Sequence, residues 1–86
     1  MPWTEEGARE LAVELRDVRE PATPPGMVWW WCEEYLTERR GTLYGHRDVD
    51  GERLALIVAR RFPDDSGRLA DEVLWVPARL IRARLE

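Results

Sequence analysis

The chain lacks three polar residue types and holds three others only once. It has no Lys, Asn or Gln, and a single Ser66, His46 and Cys32, so all thirteen basic residues are Arg. A single cysteine excludes an internal disulfide. A single histidine excludes a metal site that needs several imidazole ligands. A thermophilic origin would disfavour amides that deamidate and favour charged networks, the codon usage of a G- and C-rich genome would produce the same bias, and composition does not separate the two.

Long apolar runs and an excess of basic charge are also missing. No stretch approaches the 18–20 apolar residues of a membrane span, and the residues up to Glu6 lack the basic start and apolar run of a signal peptide. We therefore expect a cytoplasmic protein with no membrane contact. The net charge is −4, with three Arg against six acids in residues 1–26 and ten Arg against eleven acids in 27–86. This acidity argues against a protein whose main task is wrapping nucleic acid.

What is present is the composition of one folded domain, 1–86, with 44% hydrophobic and 35% charged residues. The chain is organised around 27–32, MVWWWC, which holds three of the five tryptophans and follows Pro24-Pro25-Gly26. Flanked by apolar side chains, Cys32 has the character of a small buried hydrophobe.

The first 20 residues are predicted to form a helix, from an N-cap at Thr4 to about Arg19. Its apolar residues recur at spacings of three and four; they are Ala8, Leu11, Ala12, Leu15 and Val18. This stripe is expected to cover the core, and the alternative is an amphipathic element that docks on another protein. Residues 21–26, PATPPG, are predicted to be a stiff extended connector.

Residues 27–40 fit two structures. Spacing favours a helix that ends at Gly41, whereas the β-favouring residues of 27–32 favour a strand buried on both faces, followed by a turn at Gly41. We predict the strand, because short apolar runs between Pro and Gly are more often strands.

The later segments predict a mainly β region. A short strand over 42–47, the hairpin signal Asp50-Gly51 and a long strand over 52–62 form one hairpin. Both faces of 53–60 are apolar, and we expect the flatter face, Ala55, Ile57 and Ala59, to seat the first helix. A turn at 63–67 and a strand over 71–76 follow. Pro77 is predicted to start a helical turn, and 81–86 is either a strand or the end of a helix.

The sequence contains no recognisable catalytic or metal-binding pattern, and we predict neither enzyme activity nor a bound cofactor. His46 lies two residues from Asp48 and could pair with it, but no second histidine completes a metal site. The acid pairs at 33–34, 64–65 and 71–72 are expected on the solvated surface, because neighbours on a strand point to opposite faces.

Two sets of residues are candidates for binding. Tryptophan is enriched at binding hot spots, and the predicted protein interface consists of Trp29, Trp30, Trp31 and Trp75. A second set could gather at neighbouring strand ends and bind phosphate or stack on bases; it consists of Arg39, Arg40, Tyr44, Arg47, Arg60 and Arg61. The same arginines also suit an ion-pair network with the many acids.

Three short motifs give the chain a family resemblance. RGTLYG at 40–45, DGE at 50–52 and VLWVPARL at 73–80 resemble SH3-like small barrels of the Tudor and KOW kind, over residues 27–86. GMVWW at 26–30 is similar to the GDVWW opening of PemK-like toxin endoribonucleases, although Met27 replaces the Asp and no downstream catalytic Thr matches. The resemblance implies a fold, and no catalytic residue is carried over.

These observations predict an α+β domain, with an N-terminal helix packed on a small bent antiparallel sheet or SH3-like barrel. The predicted function is a non-enzymatic interaction module that binds another protein or forms a homodimer. The alternative is a nucleic-acid-binding domain that uses the arginine and aromatic set, with endoribonuclease activity as a remote extension.

Overall fold

The structure is a computed structural model and describes residues 5–60 and 71–84. Its elements in chain order are α1 (Glu5–Leu15), β1 (Glu20–Cys32), β2 (Thr37–Val49), β3 (Glu52–Arg60), β4 (Asp71–Pro77), a 3₁₀ helix (Ala78–Leu80) and β5 (Ile81–Arg84). The predicted turn at 63–67 and the end of the long predicted strand, residues 61–62, lie outside the described residues.

The five described strands form one open antiparallel sheet in the order β4-β3-β2-β1-β5. Consecutive strands pair from β1 to β4, and β5 returns to pair with the free side of β1. Together with α1 on one face, this confirms an α+β domain with an N-terminal helix packed on an antiparallel sheet.

The Pro-rich segment predicted as a separate connector belongs to the first strand. β1 pairs with β2 from Glu20 onward, and its register shifts between Pro21 and Gly26, where the Thr23–Pro24 peptide bond is cis. Proline removes a ladder donor and is therefore tolerated in a strand mainly at bulges and edges. The segment is extended, as predicted, but it continues directly into 27–32. The strand predicted there is confirmed, whereas its predicted burial on both faces is wrong, because Met27, Trp29 and Trp31 remain exposed or partly exposed.

The turn after β1 lies at 33–36 and not at Gly41, so that part of the prediction is wrong. Gly41 is buried within β2, opposite Val28. A Cβ atom on Gly41 would lie 2.6 Å from Ile57 Cγ2, 2.8 Å from the Val58 carbonyl oxygen and 3.1 Å from the Trp30 ring. This glycine marks a close approach of two strands and a tryptophan in the core, which sequence alone does not distinguish from a turn.

The hairpin at Asp50-Gly51 is confirmed. Val49 pairs with Glu52 across a two-residue turn, in which Asp50 has φ +51° and Gly51 has φ +82°. Positive φ at both central residues is the geometry of a type I′ turn, which matches the twist of the flanking strands.

The core lies on the inner face of the sheet. It is built from Val28, Trp30, Cys32, Leu43, Ala55, Ile57, Ala59 and Val76. Trp30 is only 2% exposed, and Cys32 is buried as a free thiol, as predicted. The Ala55, Ile57 and Ala59 face therefore packs against β1 and does not seat the helix. The expectation that α1 rests on it is wrong, because the large Trp30 side chain occupies that side.

The helix packs instead on the outer face of β4 and β3, and it buries a different stripe from the predicted one. Its inward residues are Gly7, Leu11, Glu14 and the following Val18, whereas Ala8, Ala12 and Leu15 are exposed. Gly7 is buried, and Glu14 faces inward, where it accepts a hydrogen bond described below. α1 ends at Leu15, four residues before the predicted end.

The segment after α1 is fixed to β2. The Arg19 amide donates a hydrogen bond to the His46 carbonyl oxygen at 2.9 Å. Val18 packs so closely on Gly45 that a Cβ atom there would lie 2.5 Å from Val18 Cγ1. The second glycine of the RGTLYG motif is thus also a contact position.

The C-terminal elements follow the prediction at Pro77. A 3₁₀ turn begins directly after it, and 81–84 is a strand, so the helical alternative for this segment is wrong. Within the described residues, no helix has the length and apolar character needed to cross a membrane.

Candidate interaction surfaces

The sequence suggested tryptophans for one binding site and arginines for another, but the structure pairs the two sets with each other. Three arginine side chains lie over tryptophan rings: Arg39 over Trp30, Arg40 over Trp29 and Arg47 over Trp75. Two of these pairs are direct cross-strand neighbours of β1 and β2, where side chains on one face meet. These contacts are cation–π interactions, which occupy one side of each ring.

The first pair lies inside the protein. Arg39 is 8% exposed, and its guanidinium carbon lies 5.2 Å from the centre of the Trp30 ring. Its Nη2 donates to the Arg60 carbonyl oxygen at 2.7 Å and to Glu72 Oε2 at 3.0 Å. One side chain of β2 thereby ties together β3 and β4. Trp30 and Arg39 are structural and offer no surface to a partner.

The second pair lies on the opposite face of β1. Met27, Trp29 and Trp31 alternate with the core residues, so their side chains point outward. Met27 is 41% exposed, and both tryptophans are partly exposed. The exposed Arg40 lies over the Trp29 ring at 4.9 Å, and the Thr42 hydroxyl donates to Met27 Sδ at 3.5 Å. We call Met27, Trp29, Trp31 and Arg40 the outer Trp face.

The turn that follows β1 also exposes apolar side chains. The turn at 33–36 carries Tyr35, 38% exposed, and Leu36, 74% exposed. Leu36 has φ +53°, a left-handed conformation that costs a residue with a Cβ about 1–2 kcal/mol. Two exposed hydrophobic side chains therefore stand a few residues beyond Trp31.

Trp75 forms a separate surface between α1 and β4. Its indole Nε1 donates to Glu14 Oε2 at 3.4 Å, and Arg47 lies 4.5 Å from the ring centre. Arg47 also pairs with Asp17 at 3.5 Å. Among the described residues, those that line an open groove of about 580 Å³ beside this ring are Arg9, Glu10, Val13, Glu14, Val73 and Trp75. We call it the helix groove.

The described residues of the arginine set predicted for nucleic acid lie in different surroundings. Arg39 and Arg40 point to opposite faces, and Arg40 and Arg47 are seven residues apart along β2, a distance of about 20 Å. Arg60 is exposed beyond the core, Tyr44 is half-buried at the register shift between Leu43 and Gly45, and Arg61 lies outside the described residues.

His46 lies beside an ion pair between Arg53 and Glu20. Arg53 donates to both carboxylate oxygens of Glu20, which lowers the pKa of Glu20 and raises that of Arg53. Burial lowers the pKa of His46, and the positive charge of Arg53 adds to the effect. Within 5–60 and 71–84, no three His, Cys, Asp or Glu side chains are placed to hold a metal ion.

Comparisons with protein-family models, curated proteins and solved structures find no match for this chain.

Sequence reasoning missed two residues that matter for these surfaces. Glu72 was expected on the solvated surface, yet it is partly buried in the ion pair with Arg39. Glu14 lies outside the apolar stripe predicted for the helix, yet it faces Trp75. No local pattern signals either residue, because each partner lies more than 30 positions away in the chain.

Proposed function

We propose that this chain is a small, non-enzymatic protein-interaction module that binds through the outer Trp face. The observation that supports it is the outward direction of Trp29 and Trp31 beside the exposed Met27, with Arg40 stacked on Trp29. Tryptophan and arginine are the residues most enriched at binding hot spots, and each buried tryptophan removes about 150–250 Å² from water. Covering these side chains with a partner would therefore remove apolar area from water and stabilise the complex.

An SH3-like architecture is part of the same proposal. The chain follows the element order that the resemblance implies, namely strand, hairpin, strand, Trp-Val-Pro and a last strand, with the 3₁₀ turn of Ala78–Leu80 before β5. The strand order β4-β3-β2-β1-β5, in which the last strand pairs with the first, supports it.

Self-association is the form of this function that can be tested without a known partner. A twofold contact would place the outer Trp face of one copy on that of another, since a twofold interface is self-complementary. Light scattering coupled to size exclusion, from micromolar to millimolar protein, should show a mass that rises towards twice that of the monomer. The Trp29→Ser/Trp31→Ser variant should remain a monomer over the same range.

The control is Val49→Ser, since Val49 is 37% exposed at the far end of β2. It should associate like the wild type. A monomeric wild type at every concentration, with Trp29 and Trp31 as accessible to acrylamide quenching at high as at low concentration, would remove self-association through this face.

Nucleic-acid binding remains the second proposal, and the exposed Arg40 on Trp29 is what favours it. A guanidinium stacked on an aromatic ring is also a platform for bases. Labelled oligonucleotides titrated at about 50 and 200 mM salt would test it, because each phosphate contact releases counterions and makes binding salt-dependent. Binding that is indifferent to salt and to Arg40→Met would eliminate this function.

A further inference from the structure

The helix groove has the size and the apolar lining of a ligand site. Its volume of about 580 Å³ falls within the usual range of about 300–1,000 Å³ for such sites. Val13 is 57% exposed on the helix side, and Val73 and Trp75 are partly exposed on the β4 side. Apolar side chains on two facing elements are therefore in contact with water.

The residues that line the groove carry a net negative charge. Arg9 is bound by Glu5 in an i,i+4 ion pair, which offsets its charge. Within the described residues, neither Glu10 nor Glu14 forms an ion pair. Glu14 is held in place by the Trp75 indole, which uses one of its acceptor positions and leaves others open. The groove thus presents two carboxylates beside an apolar floor.

Trp75 shows how a cation would fit there. The ring already receives the guanidinium of Arg47 on one side, at a distance typical of a cation–π contact. An arginine or lysine side chain has an apolar stem and a charged end, and it can lie along apolar surface while its charge reaches a polar group. The stem would contact Val13 and Trp75 while the charge reaches Glu10 and Glu14.

We propose that the helix groove binds a peptide segment in which an arginine or lysine is flanked by apolar residues. An acidic segment would be repelled by Glu10 and Glu14. A purely apolar segment would desolvate both carboxylates without pairing them, which carries a free-energy cost. This site is distinct from the outer Trp face, and the proposal does not depend on binding there.

The test uses three acetylated and amidated tripeptides: Leu-Arg-Leu, its citrulline analogue and Leu-Glu-Leu. Citrulline keeps the shape of arginine without its charge. Amide, methyl and indole resonances of labelled full-length protein should shift at Val13, Val73 and Trp75 with the arginine peptide. Its affinity should exceed that of the citrulline peptide by about threefold to tenfold, as expected for one or two partly exposed ion pairs, and the glutamate peptide should bind least.

Two variants with the same change in net charge complete the design. Glu10→Gln/Glu14→Gln should remove the preference for arginine, while the glutamine at 14 keeps an acceptor for the Trp75 indole. Glu33→Gln/Glu34→Gln, in the exposed turn after β1 and not among the residues that line the groove, should leave the preference intact. Trp29→Ser/Trp31→Ser should bind the arginine peptide like the wild type, which separates this site from the outer Trp face.

Four results would overturn the proposal. The first is equal affinity for the arginine and citrulline peptides, and the second is shifts confined to residues outside the groove. The third is an equal loss of preference in both glutamine variants, which would mean that only overall charge matters. Absence of binding by all three peptides at millimolar concentration would also refute it.

Discussion

Replacing Arg39 by methionine tests whether the buried arginine holds the sheet together. Methionine keeps an unbranched apolar stem over Trp30 but removes the guanidinium, so the hydrogen bonds to the Arg60 carbonyl and to Glu72 are lost. Hydrogen bonds to charged groups contribute about 1.5–3 kcal/mol each, and breaking a buried ion pair typically costs about 3–5 kcal/mol. Because Glu72 keeps 27% of its side chain exposed and water can reach it, we expect a loss of about 2–4 kcal/mol in unfolding free energy.

The assay is urea unfolding followed by tryptophan fluorescence, with thermal unfolding by circular dichroism as a second measure. For a domain of this size, about 1 kcal/mol corresponds to about 4–8 °C in Tm, so Arg39→Met should lower Tm by roughly 10–25 °C. The matched control is Arg40→Met, which removes the neighbouring arginine on the opposite face. Its exposed cation–π contact is worth only about 0.5–1 kcal/mol.

A double-mutant cycle separates the ion pair from general damage. Glu72→Gln added to Arg39→Met should cost less than the sum of the single changes, with a coupling of about 1 kcal/mol or more. Equal losses for Arg39→Met and Arg40→Met, or additive behaviour in the cycle, would refute the role given to Arg39.

Three further predictions follow from single positions. Gly41→Ala should cost about 1–3 kcal/mol, because the Val58 carbonyl and Ile57 side chain cannot both move away from the new Cβ atom; a change within experimental error in urea unfolding would contradict this packing. Leu36→Gly should raise stability by about 0.5–1 kcal/mol through relief of its left-handed φ, and a loss would mean that the exposed side chain packs on something. The His46 ring should titrate by NMR below its ordinary 6.5. Since the unfolded state then binds the proton more tightly, the contribution of His46 to stability should fall as pH drops below that value and level off beneath the folded pKa. A midpoint above 6.5 would be inconsistent with its burial.

The parts of the fold that were predictable are those fixed by short-range chemistry. Asp50-Gly51 requires two positive φ angles, and few residue pairs accept them. Pro77 can start a helical turn but cannot continue a central strand. The β-favouring residues of 27–32 likewise outweighed their helical spacing. Each of these signals acts within a few residues and can be seen without the rest of the chain.

The predictions that were wrong concern features that depend on contacts between distant segments of the chain. Gly41 could equally mark a turn or a close approach, and only the position of Trp30 decides between them. The helix stripe was mispredicted because Glu14 is drawn inward by an indole 61 residues away. Only part of the candidate surfaces could be predicted from the sequence. The outward direction of Trp29 and Trp31 follows from strand alternation, whereas the pairing of arginines with tryptophans depends on the register between strands.

The short β5 strand protects the most aggregation-prone stretch of the chain. It pairs with β1 at 28–30, so Trp29 and Trp30 lie between two neighbouring strands and not at an edge. Without it, a long apolar strand would present unpaired amides and carbonyls, which is the usual template for association between sheets. β5 itself carries Arg82 and Arg84 and is only four residues long, and both short length and charge discourage further strand addition. A cut before Ile81, which removes only 6 of 86 residues, should therefore increase aggregation relative to the full chain.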